Sequence, residues 1–197
     1  MLAPEFKQVF DYLNTMIEIS DENAVISSRD YELRNIRKKE LIATPGKASV
    51  EVYFVNKGLI RAMIVDQKGN EVSLHFAFEN QFVTDFSSLL TGAETDYYIQ
   101  ALEDSEIVVL PKKSILWAYE NLPEGNRLAR YIAEGWYMYQ DLRIKNIYTK
   151  SPKERYDNIQ HIFPDIHQRV PQHMIASYLG ITSVHFSRLK KEALKKV

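Results

Sequence analysis

The feature that most constrains this chain is a single change in the period of its apolar residues. Val50, Val52 and Phe54 alternate with Glu51 and Tyr53, and Val72, Leu74, Phe76 and Phe78 alternate with Ser73, His75 and Ala77. Asn56-Lys57-Gly58 and Gln67-Lys68-Gly69-Asn70 read as turns around the strand-like run 59–65, and residues 97–102 and 107–110 add two short strands. Short strands with turn signals at this spacing predict a β-sandwich or jelly-roll barrel. A short amphipathic helix (Phe6, Val9, Phe10, Leu13, Ile17) precedes it. After residue 112 the period becomes helical. Leu128, Ile132, Gly135, Tyr139 and Leu142 follow in steps of 4, 3, 4 and 3, the heptad seam by which two helices pack side by side. A seam this long outgrows a small barrel, which predicts a dimer helix whose Gly135 lets backbones approach closely.

Ser151, Pro152 and Glu154 form a capping-box pattern after a hinge at Thr149-Lys150. The helix they open presents Tyr156, Ile159, Ile162 and Phe163, and Pro164 stops it. Residues 170–183 then read as a helix, a turn at Gly180 and a cap at Thr182 or Ser183. A second helix over 184–196 follows, with Phe186, Leu189 and Leu194 inward. Two short helices joined by a turn containing glycine are the helix-turn-helix signature, and the second would enter a DNA major groove. The expected DNA-facing residues are Gln172, Ser183, His185, Ser187, Arg188, Lys190 and Lys191. Arg188 is suited to guanine O6 and N7, whereas Ser187, Lys190, Lys191, Lys195 and Lys196 are suited to phosphates.

Charge supports this division. The net of −1 hides fourteen Lys and Arg against twenty-one Asp and Glu in residues 1–140, and eleven against five in residues 141–197. A basic module of +6 beside an acidic one of −7 points to a nucleic-acid partner for the former. The absence of cysteine excludes disulfides, thiolate zinc sites, cysteine nucleophiles and cysteine-ligated iron–sulfur clusters. No apolar run approaches a membrane span and no secretory signal is evident, so the cytoplasm is the expected location and no membrane partner is expected. The sequence holds no Walker A, G-x-G-x-x-G, G-x-S-x-G or H-E-x-x-H motif, and no enzyme is expected. His161, His167 and His173, six apart, suit no common zinc pattern and read as surface or DNA-proximal residues. His75 reads as structural rather than as a heme ligand, and neither a cofactor nor a metal site is expected.

The run Ile175-Ala176-Ser177-Tyr178-Leu179-Gly180-Ile181-Thr182, followed by Phe186-Ser187-Arg188-Leu189-Lys190-Lys191, resembles the helix-turn-helix of the Crp/Fnr family of bacterial transcription regulators, in the branch common in Bacteroidetes. Gly58-Leu59-Ile60-Arg61 resembles that family's strand-turn-strand. The resemblance covers nearly the whole chain. It implies an α+β fold in three parts: a jelly-roll-like β-roll effector domain over 1–122, a long dimerisation helix over 123–148 and a helix-turn-helix DNA-binding domain over 149–197. It also implies a homodimer on a double-stranded DNA operator with two half-sites, and RNA polymerase as a further partner. Arg188 matches the family's retained arginine. Val184 stands where the family's recognition helix usually has an acidic residue, and Ser183 where a basic one often lies.

Family members that bind cyclic nucleotides use a Gly-Glu pair, a short helix and an Arg-Ser-Ala-like motif. Here Asn80-Gln81 is expected at the Gly-Glu pair, and Thr95-Asp96 has no arginine beside it. Between Lys68 and Lys112 there is no Lys or Arg, while eight carboxylates occur. A cyclic nucleotide is therefore not expected to bind in the usual way unless Arg61, Arg127 or Arg130 reaches in. The corresponding pocket would comprise Phe78, Gln81, Phe82, Thr95, Asp96, Tyr97, Met138 and Tyr139, holding an unknown small-molecule effector or none. The alternative is an orphan dimeric protein-interaction module with weak or non-specific DNA binding.

Overall fold

The computed structural model describes residues 1–195. The chain forms two compact units, residues 1–62 with 76–135, and residues 63–75 with 136–197. A 3-10 helix, Pro4–Phe6, leads into α1 (Lys7–Leu13), and α2 (Asp21–Ser27) follows, capped by Ser20. The amphipathic helix expected from Phe6 to Ile17 is thus shorter, and α2 adds a second helix. Eight strands follow: β1 (Glu32–Ile36), β2 (Leu41–Ala43), β3 (Glu51–Lys57), β4 (Ile60–Val65), β5 (Glu71–Ala77), β6 (Phe82–Val83), β7 (Tyr98–Ala101) and β8 (Ser105–Pro111). The helix α3 (Phe86–Thr91) lies between β6 and β7. The strands make two four-stranded sheets, in the orders β1-β8-β3-β6 and β2-β7-β4-β5.

Successive side chains of a strand point to opposite faces, and β3 and β8 use both faces. Tyr53, Val55, Ile107 and Val109 join Ile60, Ala62, Ala77, Ile99 and Ala101 in a core built from both sheets. Val52, Phe54, Val108 and Leu110 face the other way, into a second core closed by Val9, Phe10 and Leu13 of α1, Ala24 of α2, and α4 (Lys112–Asn121). Burial on both faces explains the unbroken apolar runs at 52–55 and 107–110, where one-sided strands would alternate with polar residues. Gly58, at φ +99°, turns β3 into β4 where a Cβ would lie 2.3 Å from the Ser105 hydroxyl, so no larger residue fits.

The long helix α5 (Gly125–Thr149) has 25 residues. It is followed by α6 (Pro152–Ile162), α7 (Ile166–Arg169), α8 (Gln172–Tyr178) and α9 (Ser183–Leu194). The capping box forms: the Ser151 hydroxyl accepts from the Glu154 amide, and the Glu154 carboxylate accepts from the Ser151 amide at 2.8 Å. No helix among the described residues is long and apolar enough to cross a membrane.

Candidate functional site

The helix-turn-helix is held by its own small core. Ile175, Ala176, Tyr178 and Leu179 of the first helix and Phe186 and Leu189 of the second are buried. Gly180, at φ +65°, ends α8 in a Schellman arrangement: the Ile181 amide donates to Ala176 O at 3.0 Å and the Gly180 amide to Ser177 O at 3.1 Å. Thr182 then caps α9, its hydroxyl accepting from the His185 amide at 3.2 Å.

With Phe186 and Leu189 inward, α9 turns the line Val184, Arg188, Lys191 and Lys195 outward, at steps of four, three and four. Ser183 and His185 flank that line and Gln172 is exposed at the start of α8, while Ser187 and Lys190 are half-buried. Leu194, expected inward, is 69% exposed, because its place on the helix falls nearer the outer line than Phe186 or Leu189. Lys196 lies outside the described residues. Val184 is 63% exposed at the centre of the outward face.

The second unit fastens α8 to the tip of the β4–β5 hairpin. The Ser73 amide donates to the Ser177 hydroxyl at 2.9 Å, which donates to Glu71 O at 3.0 Å, and the Ser73 hydroxyl donates to Met174 O at 3.0 Å. His75 is buried against the rings of Trp136, Tyr139 and Phe163, and its Nδ1 lies 3.0 Å from the Tyr139 hydroxyl, itself 2.9 Å from that of Tyr178. His161 and His173 are exposed, and His167 is half-buried. It packs on Tyr156 and Phe186, and burial, with the Lys190 charge second, holds its pKa below the ordinary imidazole value.

The dimer seam expected from spacing is taken up largely by the chain itself. Leu128 is 3% exposed in the core of the first unit and Ile132 packs on that core, while Tyr139 makes the contacts just described. A heptad stripe marks an apolar face without saying whose surface covers it. Gly135 and Leu142 are exposed. Tyr137, Ile144 and Tyr148, spaced by seven and four, form an exposed apolar stripe on another side of α5.

In the β-roll, Thr84-Asp85 rather than Asn80-Gln81 enters the short helix α3. Asn80 sits in a left-handed turn at φ +64°, and the Gln81 side chain accepts from the Phe78 amide at 3.0 Å, so the pair shapes the turn between β5 and β6. The Phe82 ring packs tilted against Phe54, centroids 4.9 Å apart, within the core. Asp85 is buried and caps α3: one carboxylate oxygen accepts from the Ser88 amide at 3.1 Å and the other from the Thr95 hydroxyl at 2.6 Å. Thr95 in turn accepts from the Tyr97 amide at 2.9 Å. The end of α3 that would receive an anion already faces an internal carboxylate. Asp96 is exposed, Tyr97 and Phe78 are half-buried, and Met138 and Tyr139 belong to the second unit. Arg61 is fully buried and engaged within the fold, Arg127 pairs with Glu124 at 2.6 Å, and Arg130 lies 3.6 Å from Glu134.

Residues 33–121 match the family model described as a cyclic nucleotide-binding domain. Among solved structures, FixK2 from Bradyrhizobium japonicum is 17% identical, with a TM-score of 0.71 over 84% of this chain and 85% of that one. The c-di-GMP responsive global regulator CLP of Xanthomonas campestris is 12% identical, with a TM-score of 0.67 over 89% and 93%. A protein from Eubacterium rectale described as a transcriptional regulator of the Crp/Fnr family is 15% identical, with a TM-score of 0.66 over 94% and 88%. No curated protein sequence matches the chain. What is shared at these identities is the fold: an α+β chain with an N-terminal cyclic nucleotide-binding-type domain of β-sheets and C-terminal helices, as in Crp/Fnr regulator structures.

Proposed function

We propose that the chain is a dimeric, sequence-specific DNA-binding transcription regulator of Crp/Fnr type, in the Bacteroidetes-type branch that its helix-turn-helix sequence resembles. The observation that carries this reading is the outward line Val184, Arg188, Lys191 on a helix capped by Thr182 and backed by buried Phe186 and Leu189. In this reading residues 1–122 act as the sensor, residues 123–148 as the dimer helix and residues 149–197 as the reader. Arg188 supplies base-edge hydrogen bonds, Val184 an apolar surface for a thymine methyl, and Lys191 and Lys195 phosphate contacts. Ser183, His185 and Gln172 lie beside that line, and half-buried Ser187 and Lys190 serve from the edge. The dimer seam moves to the exposed stripe Tyr137, Ile144 and Tyr148. As a regulator the protein would act in the cytoplasm with RNA polymerase as a further partner, without enzymatic activity.

The β-roll does not take a cyclic nucleotide in the usual way. Asp85 already caps α3, Thr95 holds it there, and residues 69–111 supply no cation. Calorimetry with cyclic AMP and cyclic GMP should show no binding heat, and a micromolar site would overturn this part.

The test of the whole is fluorescence anisotropy with promoter duplexes across a salt series. Expected are sequence preference and a log–log salt slope of about −0.9 per phosphate contact. Arg188→Ala should relax discrimination by about 1–3 kcal/mol at one base pair, while Lys191→Ala should weaken all duplexes alike. Binding without preference at physiological salt would instead favour the protein-interaction module.

A further inference from the structure

The strand β5 stands at the end of the sheet order β2-β7-β4-β5, so one of its edges has no neighbouring strand. Backbone N–H and C=O groups along such an edge need partners from elsewhere. The burial of β5 is also inverted. Ser73 is fully buried and His75 is 9% exposed, whereas Val72 and Leu74 are half-buried. An antiparallel strand with one wet face turns its polar alternates outward. Here the polar alternates face packed helices, and those helices supply polar partners.

At the edge the partner is Ser177 of α8. Its hydroxyl accepts from the Ser73 amide at 2.9 Å and donates to Glu71 O at 3.0 Å, so one side chain plays the part of a missing strand. The Ser73 hydroxyl returns a bond to Met174 O at 3.0 Å, and Ser73 O accepts from Arg143 Nη2 of α5 at 3.3 Å. Ser73 is thus tied to both helices. Alanine at 177 could neither accept nor donate. Ser177 lies off the outward line of α9, and Val184 and Arg188 are exposed with these bonds in place.

We propose that Ser177 is a positioning residue for the reading helices. Its hydroxyl clips α8 to the edge of β5 in the arrangement that reads DNA, so the β4–β5 hairpin holds the helix-turn-helix in addition to the connection between α5 and α6. A clip closed before DNA arrives spares the cost of ordering α8 on binding. The clip stands on its hydrogen bonds alone, and its effect on DNA affinity rests on the regulator reading.

The test compares Ser177→Ala with Ser177→Thr in the full chain. Without DNA, amide hydrogen exchange followed by NMR reads the clip. The Ser73 amide should exchange about tenfold faster in Ser177→Ala and near the parental rate in Ser177→Thr, which keeps a hydroxyl. The Phe186 and Leu189 amides should keep their protection in both. With promoter duplexes, anisotropy should show Ser177→Ala binding about tenfold more weakly at an unchanged salt slope, since no phosphate contact is lost, and Ser177→Thr binding like the parent. Should Ser177→Ala fail to fold, Ser73→Ala, which removes the bond to Met174 O, takes its place with an expected loss of about threefold. An unchanged Ser73 amide in Ser177→Ala overturns the clip. A faster Ser73 amide with parental DNA affinity overturns the positioning role, and so does lost protection at Phe186 and Leu189, which would make Ser177 a folding residue only. A parent chain that binds no duplex sinks the regulator reading, and the Ser73 amide still decides the clip.

Discussion

Val184 is the residue whose meaning changes most between sequence and structure. In sequence it is an apolar interruption in a basic helix. In the fold it is exposed one turn before Arg188, where a large apolar side chain has no core to fill. If it meets a thymine methyl, replacing the contacted thymine by uracil should cost about 0.8 kcal/mol, roughly fourfold in affinity. Val184→Ser should abolish that difference, which competition anisotropy reads directly. An equal uracil penalty in both proteins would remove Val184 from the base contact. His167 carries the second residue-scale expectation. Its folded pKa is depressed, so below the ordinary imidazole value of about 6.5 the unfolded chain takes up a proton that the folded one refuses. Stability should therefore fall as pH drops through and below that value, with no contribution from this residue above it. Thermal melts of His167→Gln should show a shallower loss between neutral and mildly acid pH than the parent, and parallel curves would refute the assignment.

Among the elements, legibility followed how local the determining contacts are. The Ser151–Glu154 box and the α8–Gly180–α9 turn were readable because every partner lies within a few residues. β1 was not, because Glu32 and Arg34 face outward into a charge cluster with Glu51, leaving a half-polar strand with little alternation. The two-residue β6 and four-residue α7 are too short to show a period. The role of Asp85 was hidden for the opposite reason: its partner Thr95 is ten residues away, across α3. Thr95→Val should leave a buried carboxylate oxygen without its donor and cost about 1–3 kcal/mol, measured by denaturant unfolding. The α5 seam was legible as an apolar face but not as to its owner, since Leu128 and Ile132 serve their own core. Ile144→Asp, on the exposed stripe, should convert a dimer to monomers by light scattering, whereas the same mass for variant and parent would place the interface elsewhere.

For the whole molecule, the net charge of −1 is the least informative number, because it sums a basic C-terminal stretch and an acidic N-terminal one. The acidic stretch that lacks Lys and Arg between Lys68 and Lys112 has supplied its own anion at the start of α3. Its sequence neighbourhood hinted at this through missing arginines, but only the folded hydrogen bonds of Asp85 show what stands in their place. In the same unit runs the pair β3 and β8, joined from Glu51 opposite Pro111 to Lys57 opposite Glu106 and walled by apolar side chains on both faces. Solvent has no face from which to enter this ribbon. In hydrogen–deuterium exchange, the hydrogen-bonded Val52–Val55 and Ile107–Leu110 amides should be the last of the first unit to exchange, opening only when that unit unfolds as a whole. The ribbon would then act as the clock by which that unit's lifetime is read, and a faster rate there than in α1 would show that the helix layer outlasts the sheet it covers.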